Sequence, residues 1–271
     1  MPVLRVFPRK TKATPEDDYA LIGDPPLFIP EDITEIHISV AFTWDLPEAE
    51  RLADAWARYG TVKLGGPAFN QPGGEFTPGM YVKEGYVITS RGCPNHCWFC
   101  AVPKREYNGL HELEIKDGWN VLDDNLLACS EEHIRAVFDM LKRQKHRILF
   151  TGGFEAKLLK AWHVDLLRTI RLERMYFAYD TPDDYEPLYE ASKLLGEYSS
   201  RKKSVYCLIG YPNDTFEKAE ERLMRIVKLN MCPYAMLWRN DKGVVREDWK
   251  GFQREWVSPY IIYTKFKGVL T

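Results

Sequence analysis

Three cysteines that lie close together in the sequence are the residues best suited to chemistry. Cys93, Cys97 and Cys100 stand in C-x3-C-x2-C spacing directly after a short apolar run at residues 86–89. Cysteine thiolates bind zinc or an iron–sulfur cluster, and four of them complete the coordination of either. Three thiolates leave one metal position open, where a reactant can bind. The segment therefore predicts a metal centre that takes part in a reaction.

A second set of candidate residues follows the cysteines at the ends of predicted strands. In α/β folds the carboxyl ends of parallel strands form the site, so polar and glycine residues at these ends are candidates for binding. They are Gly152, Gly153 and Glu155 after one strand, Asp180 after the next, and Arg239 after the last.

Strands and helices alternate along the chain from residue 86 onward. Strands alternating with helices of about ten to fifteen residues pair in parallel through right-handed crossovers. Five or six such strands are too few for a closed eight-stranded barrel, so we expect an α/β fold with an open, partial β/α barrel. The strands are predicted at residues 86–90, 147–151, 175–180, 204–210 and 234–238, and the helices at 131–144, 158–170, 185–198, 216–229 and 249–256.

The N-terminal part is predicted to hold a smaller α/β unit. A strand at residues 36–42, a helix with Asp45 as N-cap and Gly60 at its end, and a strand at residues 61–64 form a β-α-β unit. The predicted organisation is an extended, proline-rich arm over 1–32, the small unit and its linker over 33–79, the partial barrel over 80–240, and an aromatic C-terminal extension over 241–271.

The composition is that of an ordinary globular protein of 271 residues, with 45% apolar and 28% charged residues. The net charge of −2 does not indicate a nucleic-acid partner, although a local basic groove remains compatible with it. The sequence contains no run of about 18 apolar residues, so no membrane span is predicted. The first residues lack the apolar core of a signal peptide, and Cys129, Cys207 and Cys232 are scattered, so a reducing cytoplasm is the expected compartment.

The cysteine segment resembles the radical SAM superfamily. Phe99, directly before the last cysteine, matches the aromatic position that packs near the adenine in that family. Arg91-Gly92 and Ala101-Val102-Pro103 on either side resemble the methylthiotransferase branch. The resemblance implies that Cys93, Cys97 and Cys100 hold a [4Fe–4S] cluster and that S-adenosylmethionine chelates the fourth iron. Reductive cleavage then gives methionine and a 5′-deoxyadenosyl radical.

The same resemblance implies roles for residues farther along the chain. Residues 151–155 resemble the glycine-rich turn that receives the methionine amino group, with Glu155 as an added acceptor. Residues 208–215 resemble a methylthiotransferase stretch in which Ile209 would flank the adenine. Asp180 stands where a polar residue commonly meets the ribose; the alternative is a helix N-cap.

Two further residues have open alternatives. If Ile209 faces the cofactor, strand alternation sends Cys207 the same way, where its thiol would donate a hydrogen atom; the alternative is a cysteine that only packs. Arg239 would pair with the cofactor carboxylate or a substrate anion; the alternative is a solvated surface arginine.

The sequence departs from the relatives it resembles most. No cysteine precedes Cys93, no residues remain for a C-terminal β domain, and the D-x-H-x-x-G motif of cobalamin-binding domains is absent from the sequence. Methylthiolation and cobalamin-dependent methylation are therefore not expected. The expected activity is hydrogen abstraction from a nucleoside, nucleotide or peptide substrate, with an external flavodoxin or ferredoxin as electron donor.

Two other readings of the cysteines stay open. His96 or His111 could complete a zinc site, in which case the protein is a non-enzymatic zinc or iron–sulfur scaffold. A radical SAM relative could also transfer a methyl or aminocarboxypropyl group instead of abstracting hydrogen. The by-product released from S-adenosylmethionine distinguishes these chemistries.

Overall fold

The structure is a computed structural model in which two compact units are distinguished, Met1–Gly118 and Trp119–Thr271. Each unit contains a sheet of parallel strands with helices, which confirms the predicted α/β class. Within the described part of the chain no helix is long and apolar enough to cross a membrane. The residues described are 3–30, 33–70, 75–104, 109–240 and 242–271.

The first unit is built on four parallel strands in the order β2-β1-β3-β4. The predicted β-α-β unit is confirmed, since β3, α1 and β4 follow one another and β3 pairs with β4 in parallel. One face of the sheet packs on α1 through a core of Leu4, Val6, Ile36, Ile38, Leu52 and Trp56. The elements are β1 (Val3–Phe7), β2 (Ala20–Ile22), β3 (Glu35–Ser39), α1 (Leu46–Trp56) and β4 (Thr61–Gly65).

The predicted extended arm over residues 1–32 is wrong where β1 and β2 form. β1 lies in the middle of the sheet, with Leu4 and Val6 fully buried. The strand is only five residues long and carries the buried Arg5, so its alternation is weak in the sequence. Helix α1 begins where it was predicted, with Asp45 at the N-cap position, but the Asp45 side chain pairs with Arg9 and makes no capping hydrogen bond. The predicted end is wrong, because the helix ends at Trp56, before Gly60.

The segment that leads to the cysteines belongs to the first unit, not to a domain that begins at residue 80. Arg5 donates hydrogen bonds of 2.9 Å to the carbonyl oxygens of Gly79 and Met80, which attaches this segment to β1. The predicted strand 86–90 is interrupted and forms β5 (Tyr86–Val87) and β6 (Ser90–Arg91). β6 pairs in antiparallel fashion with β7 (His111–Glu112), so the loop that carries the cysteines is closed at its base.

The second unit holds five parallel strands in the order β8-β9-β10-β11-β12, which is their order in the chain. Consecutive parallel strands with right-handed crossovers place the connecting helices on one face of the sheet. The predicted elements from residue 131 onward are confirmed within a few residues. The second unit consists of β8 (Asn120–Val121), α2 (Glu131–Lys142), β9 (Ile148–Phe154), α3 (Ala161–Arg168), β10 (Leu172–Ala178), α4 (Tyr185–Leu194), β11 (Lys203–Ile209), α5 (Phe216–Lys228), β12 (Cys232–Leu237), α6 (Trp249–Val257) and α7 (Pro259–Lys265). Of these, β8 and α7 are not among the predicted elements.

The glycine pair was expected in a turn but lies within β9. The register shows a bulge, because β9 advances from Phe150 to Phe154 while β10 advances only from Met175 to Phe177. Gly153 has φ +94°, a conformation that glycine adopts at little cost. Two glycines therefore let the strand continue through a bulge instead of ending in a turn.

Gly152 lies against the backbone of the loop that follows β8. An added Cβ would be 2.8 Å from the Asp123 nitrogen and still nearer its carbonyl oxygen. Since backbone cannot swing aside as a flexible side chain does, the position excludes any side chain. The loop after β8 is thereby held directly against the end of β9.

We predict that Gly152→Ala lowers the free energy of unfolding by about 3 kcal/mol, because the methyl group overlaps fixed backbone. The matched control is Gly251→Ala in α6, where among the described residues no heavy atom lies within 4 Å of the added Cβ. The control should be more stable by roughly 0.5–1 kcal/mol, since alanine favours helix. Urea unfolding measures both; equal stability of the two variants would contradict the close approach.

Candidate functional site

The cysteine loop begins at a glycine that no other residue can replace without rearrangement. Gly92 has φ +85°, and an added Cβ would lie 2.8 Å from the carbonyl carbon of Gly109 and still nearer its oxygen. The two ends of the loop are therefore in close backbone contact. This contact extends the β6–β7 pairing up to the residue before Cys93.

The three thiols lie at the surface of the first unit. Cys97 is exposed, whereas Cys93 and Cys100 are half-buried. The Cys100 amide donates to the Cys97 carbonyl at 3.0 Å, and the Cys100 sulfur accepts the Val102 amide at 3.4 Å.

The loop carries the residue type that binds iron–sulfur clusters, since three cysteines occur within eight residues. Among the described residues, no group of three His, Cys, Asp or Glu side chains is arranged to hold a metal ion. Phe99 is half-buried and meets the exposed Trp98 edge-on, with ring centroids 5.3 Å apart. Of the two histidines considered for zinc, His96 is exposed in the loop and His111 lies in β7 opposite Arg91.

A buried polar cluster at the carboxyl ends of β8 and β9 was missed in the sequence. Asn120, Asp123 and Asn125 are 4%, 1% and 3% exposed. Thr151 donates to the Asn120 side-chain oxygen at 2.6 Å, and the Asn125 amide donates to a Glu155 carboxylate oxygen at 2.6 Å. The signal available was the polar run at residues 123–125 directly after a short strand.

Glu155 is thus positioned by a buried partner. Its other carboxylate oxygen lies 2.5 Å from the Lys157 ammonium group, and its side chain is 15% exposed. The neighbouring glycines leave backbone accessible beside this carboxylate. The carboxylate thus already accepts from one amide and one ammonium group, and its expected role toward a cofactor amino group stays a prediction.

Asp180 joins the ends of two strands. Its carboxylate accepts the Leu208 amide of β11 at 2.7 Å. Burial raises the pKa of Asp180 to about 6, and the Asp184 carboxylate acts in the same direction, while the Leu208 N–H and Arg222 act against them. The N-cap alternative is wrong, because Asp184 accepts the amides of Asp180 and Thr181 instead.

Cys207 and Ile209 face the helix layer, which contradicts the expectation that they face a cofactor. Both are fully buried, and the Cys207 thiol lies beside the Arg222 guanidinium of α5. Burial raises the pKa of Cys207 to about 12. Strand alternation places the two residues on the same face of the sheet but does not determine which face that is. The thiol therefore packs under α5, and a role as hydrogen donor on the other face is excluded by its orientation.

The stretch after β11 is held by a buried ion pair. The Asp214 side chain is fully buried and accepts both Arg222 guanidinium nitrogens, at 3.1 and 2.9 Å. It also accepts the Gly210 amide at 2.9 Å, and Arg222 donates to the Leu208 carbonyl at 3.0 Å. Asp214 thus fixes the turn that follows β11.

Three tyrosines line the opposite face of this sheet. Tyr176 and Tyr206 stack with ring centroids 4.6 Å apart, and Tyr234 meets Tyr206 edge-on at 5.5 Å. The Tyr206 hydroxyl donates to the Thr151 carbonyl at 3.2 Å, next to the glycine bulge. Arg239, after β12, is exposed and donates to the Gly243 carbonyl at 3.2 Å, so its pairing with a cofactor or substrate anion stays a prediction.

The three thiols lie in the first unit, and the glycine bulge, Glu155, Asp180 and Arg239 lie in the second. Comparison with known proteins finds no family model that matches the chain and no curated protein with significant similarity to it. The cysteine motif and the chemistry of the residues described above are therefore the features that bear on function.

We predict that acidification stabilises the protein through Asp180. Its folded-state pKa of about 6 lies above the usual value of about 3.9, so the folded form takes up a proton first. The stabilising effect grows as the pH falls through 6 and is complete below about pH 4. From about pH 7.5 to about pH 4.5, the wild type should gain about 2 kcal/mol relative to Asp180→Asn.

Urea unfolding of the two proteins at both pH values measures this difference. All other titrating groups are the same in the wild type and in Asp180→Asn, so their contributions cancel in the difference between the two unfolding free energies. An unchanged difference in unfolding free energy between the two pH values would show that Asp180 titrates normally.

Proposed function

We propose that this protein is a radical SAM enzyme. It would cleave S-adenosylmethionine reductively at a [4Fe–4S] cluster and abstract hydrogen from an unactivated carbon of a substrate. The observation that carries the proposal is the C-x3-C-x2-C spacing of Cys93, Cys97 and Cys100 on one loop. Three thiolates from one short loop, with no fourth cysteine beside them, are the donor set that leaves one iron open.

Cys93, Cys97 and Cys100 would hold the cluster. When bound, the cluster supplies the electron that breaks the sulfonium bond of S-adenosylmethionine. The chain itself contributes the amide of Val102, which donates to the Cys100 sulfur, and the close backbone contact of Gly92, which closes the loop. Phe99 is the residue proposed to pack against the adenine.

The second unit supplies the groups proposed to bind the amino acid part of S-adenosylmethionine. Glu155, held by Asn125, accepts the ammonium group beside the backbone of the glycine bulge. Asp180 keeps its proposed place near the ribose while it joins β10 to β11. Arg239 is the proposed partner of a carboxylate. Ile209 and Cys207 take no part, because they face the helix layer.

We further propose that the five consecutive strands of the second unit belong to an open, partial β/α barrel. Parallel strands that follow chain order, with a helix between each consecutive pair, are arranged as in such barrels. The face with Tyr176, Tyr206 and Tyr234 would then be the inner one, where aromatic rings can stack a planar substrate. The proposed substrate is a nucleoside, nucleotide or peptide. The proposed electron donor is an external flavodoxin or ferredoxin, and the proposed compartment is a reducing cytoplasm.

Anaerobic reconstitution with iron and sulfide tests the proposal. We predict about four irons per chain and broad absorption at about 400 nm, with 5′-deoxyadenosine released on addition of dithionite and S-adenosylmethionine. Single replacements of Cys93, Cys97 or Cys100 by Ser should abolish all three signals. Cys232→Ser is the matched control, since this cysteine is buried in β12, and it should retain them.

The alternatives give different products. Tightly bound zinc without nucleoside release would contradict the proposal and favour a scaffold whose cysteines only staple the loop. S-adenosylhomocysteine or methylthioadenosine in place of 5′-deoxyadenosine would indicate methyl or aminocarboxypropyl transfer. Loss of iron in Cys232→Ser to the same degree as in Cys93→Ser would show that binding does not depend on the loop.

A further inference from the structure

Glu35, His37 and Tyr81 form a chain of hydrogen bonds in the first unit that the proposed chemistry does not use. The His37 ring lies between the other two side chains. Its Nδ1 atom is 2.5 Å from the Tyr81 hydroxyl, and its Nε2 atom is 2.5 Å from a Glu35 carboxylate oxygen. A hydroxyl group beside an imidazole that is itself oriented by a third group is the arrangement by which enzymes activate a nucleophile. The three residues therefore have the order nucleophile, base and orienting carboxylate.

The fold of the first unit brings these side chains to one face of its sheet. Strand alternation directs Glu35 and His37 of β3 away from the core that packs on α1. Arg5 of β1, which is paired with His37 in the sheet register, donates to the two backbone carbonyl groups that precede Tyr81. This contact places the Tyr81 ring over the His37 ring, with centroids 6.1 Å apart.

The positions of the protons follow from the chemistry of the three groups. An ionised carboxylate only accepts hydrogen bonds, so the Nε2 atom bonded to Glu35 carries the proton of the neutral His37 ring. The Nδ1 atom is then an acceptor, and the Tyr81 hydroxyl donates to it. Hydrogen bonds from His37 and Lys63 lower the pKa of Glu35, which keeps the carboxylate ionised. Burial raises the pKa of Tyr81, so the phenol keeps its proton until a base removes it.

The imidazole and the phenol both line a cavity of about 470 Å³. Small-molecule sites range from roughly 300 to 1,000 Å³, so there is room for a substrate beside the hydroxyl group. Tyr81 is 41% exposed and is thus accessible from the cavity. The apolar part of the lining includes Leu64, Pro67, Phe76, Val82 and Ile88.

The charges of the described lining residues are balanced. Lys63 is already paired with Glu35. Arg91 and Glu75, which also line the cavity, carry opposite charges. Such a lining does not favour a charged ligand, whereas its apolar residues favour an uncharged one. A neutral carboxylic ester meets this condition and offers a carbonyl carbon that a hydroxyl group can attack.

We infer that Tyr81 is the nucleophile of a further active site, which transfers the acyl group of an uncharged carboxylic ester to water. The Tyr81 oxygen bonds to the carbonyl carbon while its proton passes to His37 Nδ1, and Glu35 stabilises the imidazolium that forms. The bond between the carbonyl carbon and the alcohol oxygen breaks, and the alcohol leaves with the proton from His37. Water that gives a proton to His37 then attacks the acyl-tyrosine, the carboxylic acid leaves, and Tyr81 regains its proton. The reaction needs neither the cysteine loop nor S-adenosylmethionine, so the inference is independent of the proposed function.

The test follows acylation of the full-length protein by p-nitrophenyl acetate and p-nitrophenyl butyrate. Mass spectrometry of the peptide that carries Tyr81 measures its acylation separately from that of cysteines, which also react with such esters. The matched control within the same chain is Tyr59, which is 37% exposed and lies in the same unit. Because a general base typically contributes at least about a hundredfold, the Tyr59 peptide should be acylated about a hundredfold more slowly than the Tyr81 peptide.

Variants separate the roles of the three residues, and thermal unfolding verifies that each variant is folded. His37→Gln should slow the acylation of Tyr81 by about a hundredfold, since it removes the base. Glu35 is a positioning residue, so Glu35→Gln should slow acylation at least about tenfold. Glu35→Asp keeps the carboxylate and should recover part of the rate, which a merely structural role of the side chain would not require.

The apolar lining and the return of the free enzyme give two further readouts. Butyrate should be transferred to Tyr81 faster than acetate, and the acyl group should leave Tyr81 once the ester is removed. The inference is overturned if the Tyr81 and Tyr59 peptides are acylated at equal rates, or if His37→Gln reacts as the wild type does. It is also overturned if the acyl group is found on His37 or Ser39 instead, or if it stays on Tyr81 after the ester is removed.

Discussion

The close backbone contact between Gly152 and Asp123 is the constraint on which the polar end of the second unit depends. A side chain at position 152 would overlap the Asp123 backbone, so the loop after β8 can lie against β9 only because glycine stands there. That contact brings Asn125 within hydrogen-bonding distance of Glu155. The bulge next to it is held by Thr151, whose hydroxyl and carbonyl are both bonded across the sheet. Glycine in this strand therefore positions a carboxylate rather than ending the strand.

The two faces of the sheet in the second unit carry different kinds of side chain. On the helix side, the buried pair of Asp214 and Arg222 fixes the turn after β11, and removal of one partner from such a pair typically costs about 3–5 kcal/mol. Cys207 packs beside the same guanidinium. On the other side, Tyr206 and its neighbours present aromatic surface. The buried charges of Asp214 and Arg222 thus lie on the side of the sheet that α5 covers. The face proposed for binding carries the aromatic rings and hydroxyl groups of the tyrosines.

Local signals explain which parts of the fold the sequence predicts. Helix α2 is an example, since Ser130 accepts the His133 amide as an N-cap and the apolar stripe repeats within a few residues. Strand β8 was missed because two residues show no periodicity. The orientation of Cys207 could not be deduced either, because alternation fixes a shared face and only the packing of α5 decides which face it is. The spacing of the cysteines predicts the metal-binding residues from the sequence alone. The hydrogen bond between Asn125 and Glu155 could not be predicted, because it depends on how the strands pack.

The open metal position is tested most directly by electron paramagnetic resonance of the reconstituted, reduced protein. The spectrum of a reduced [4Fe–4S] cluster is sensitive to the ligand on each iron. If three thiolates leave one iron for S-adenosylmethionine, the signal recorded with S-adenosylmethionine should differ from the signal recorded without it. A cluster signal that stays identical in both conditions would contradict the open position and, with it, the proposed chemistry.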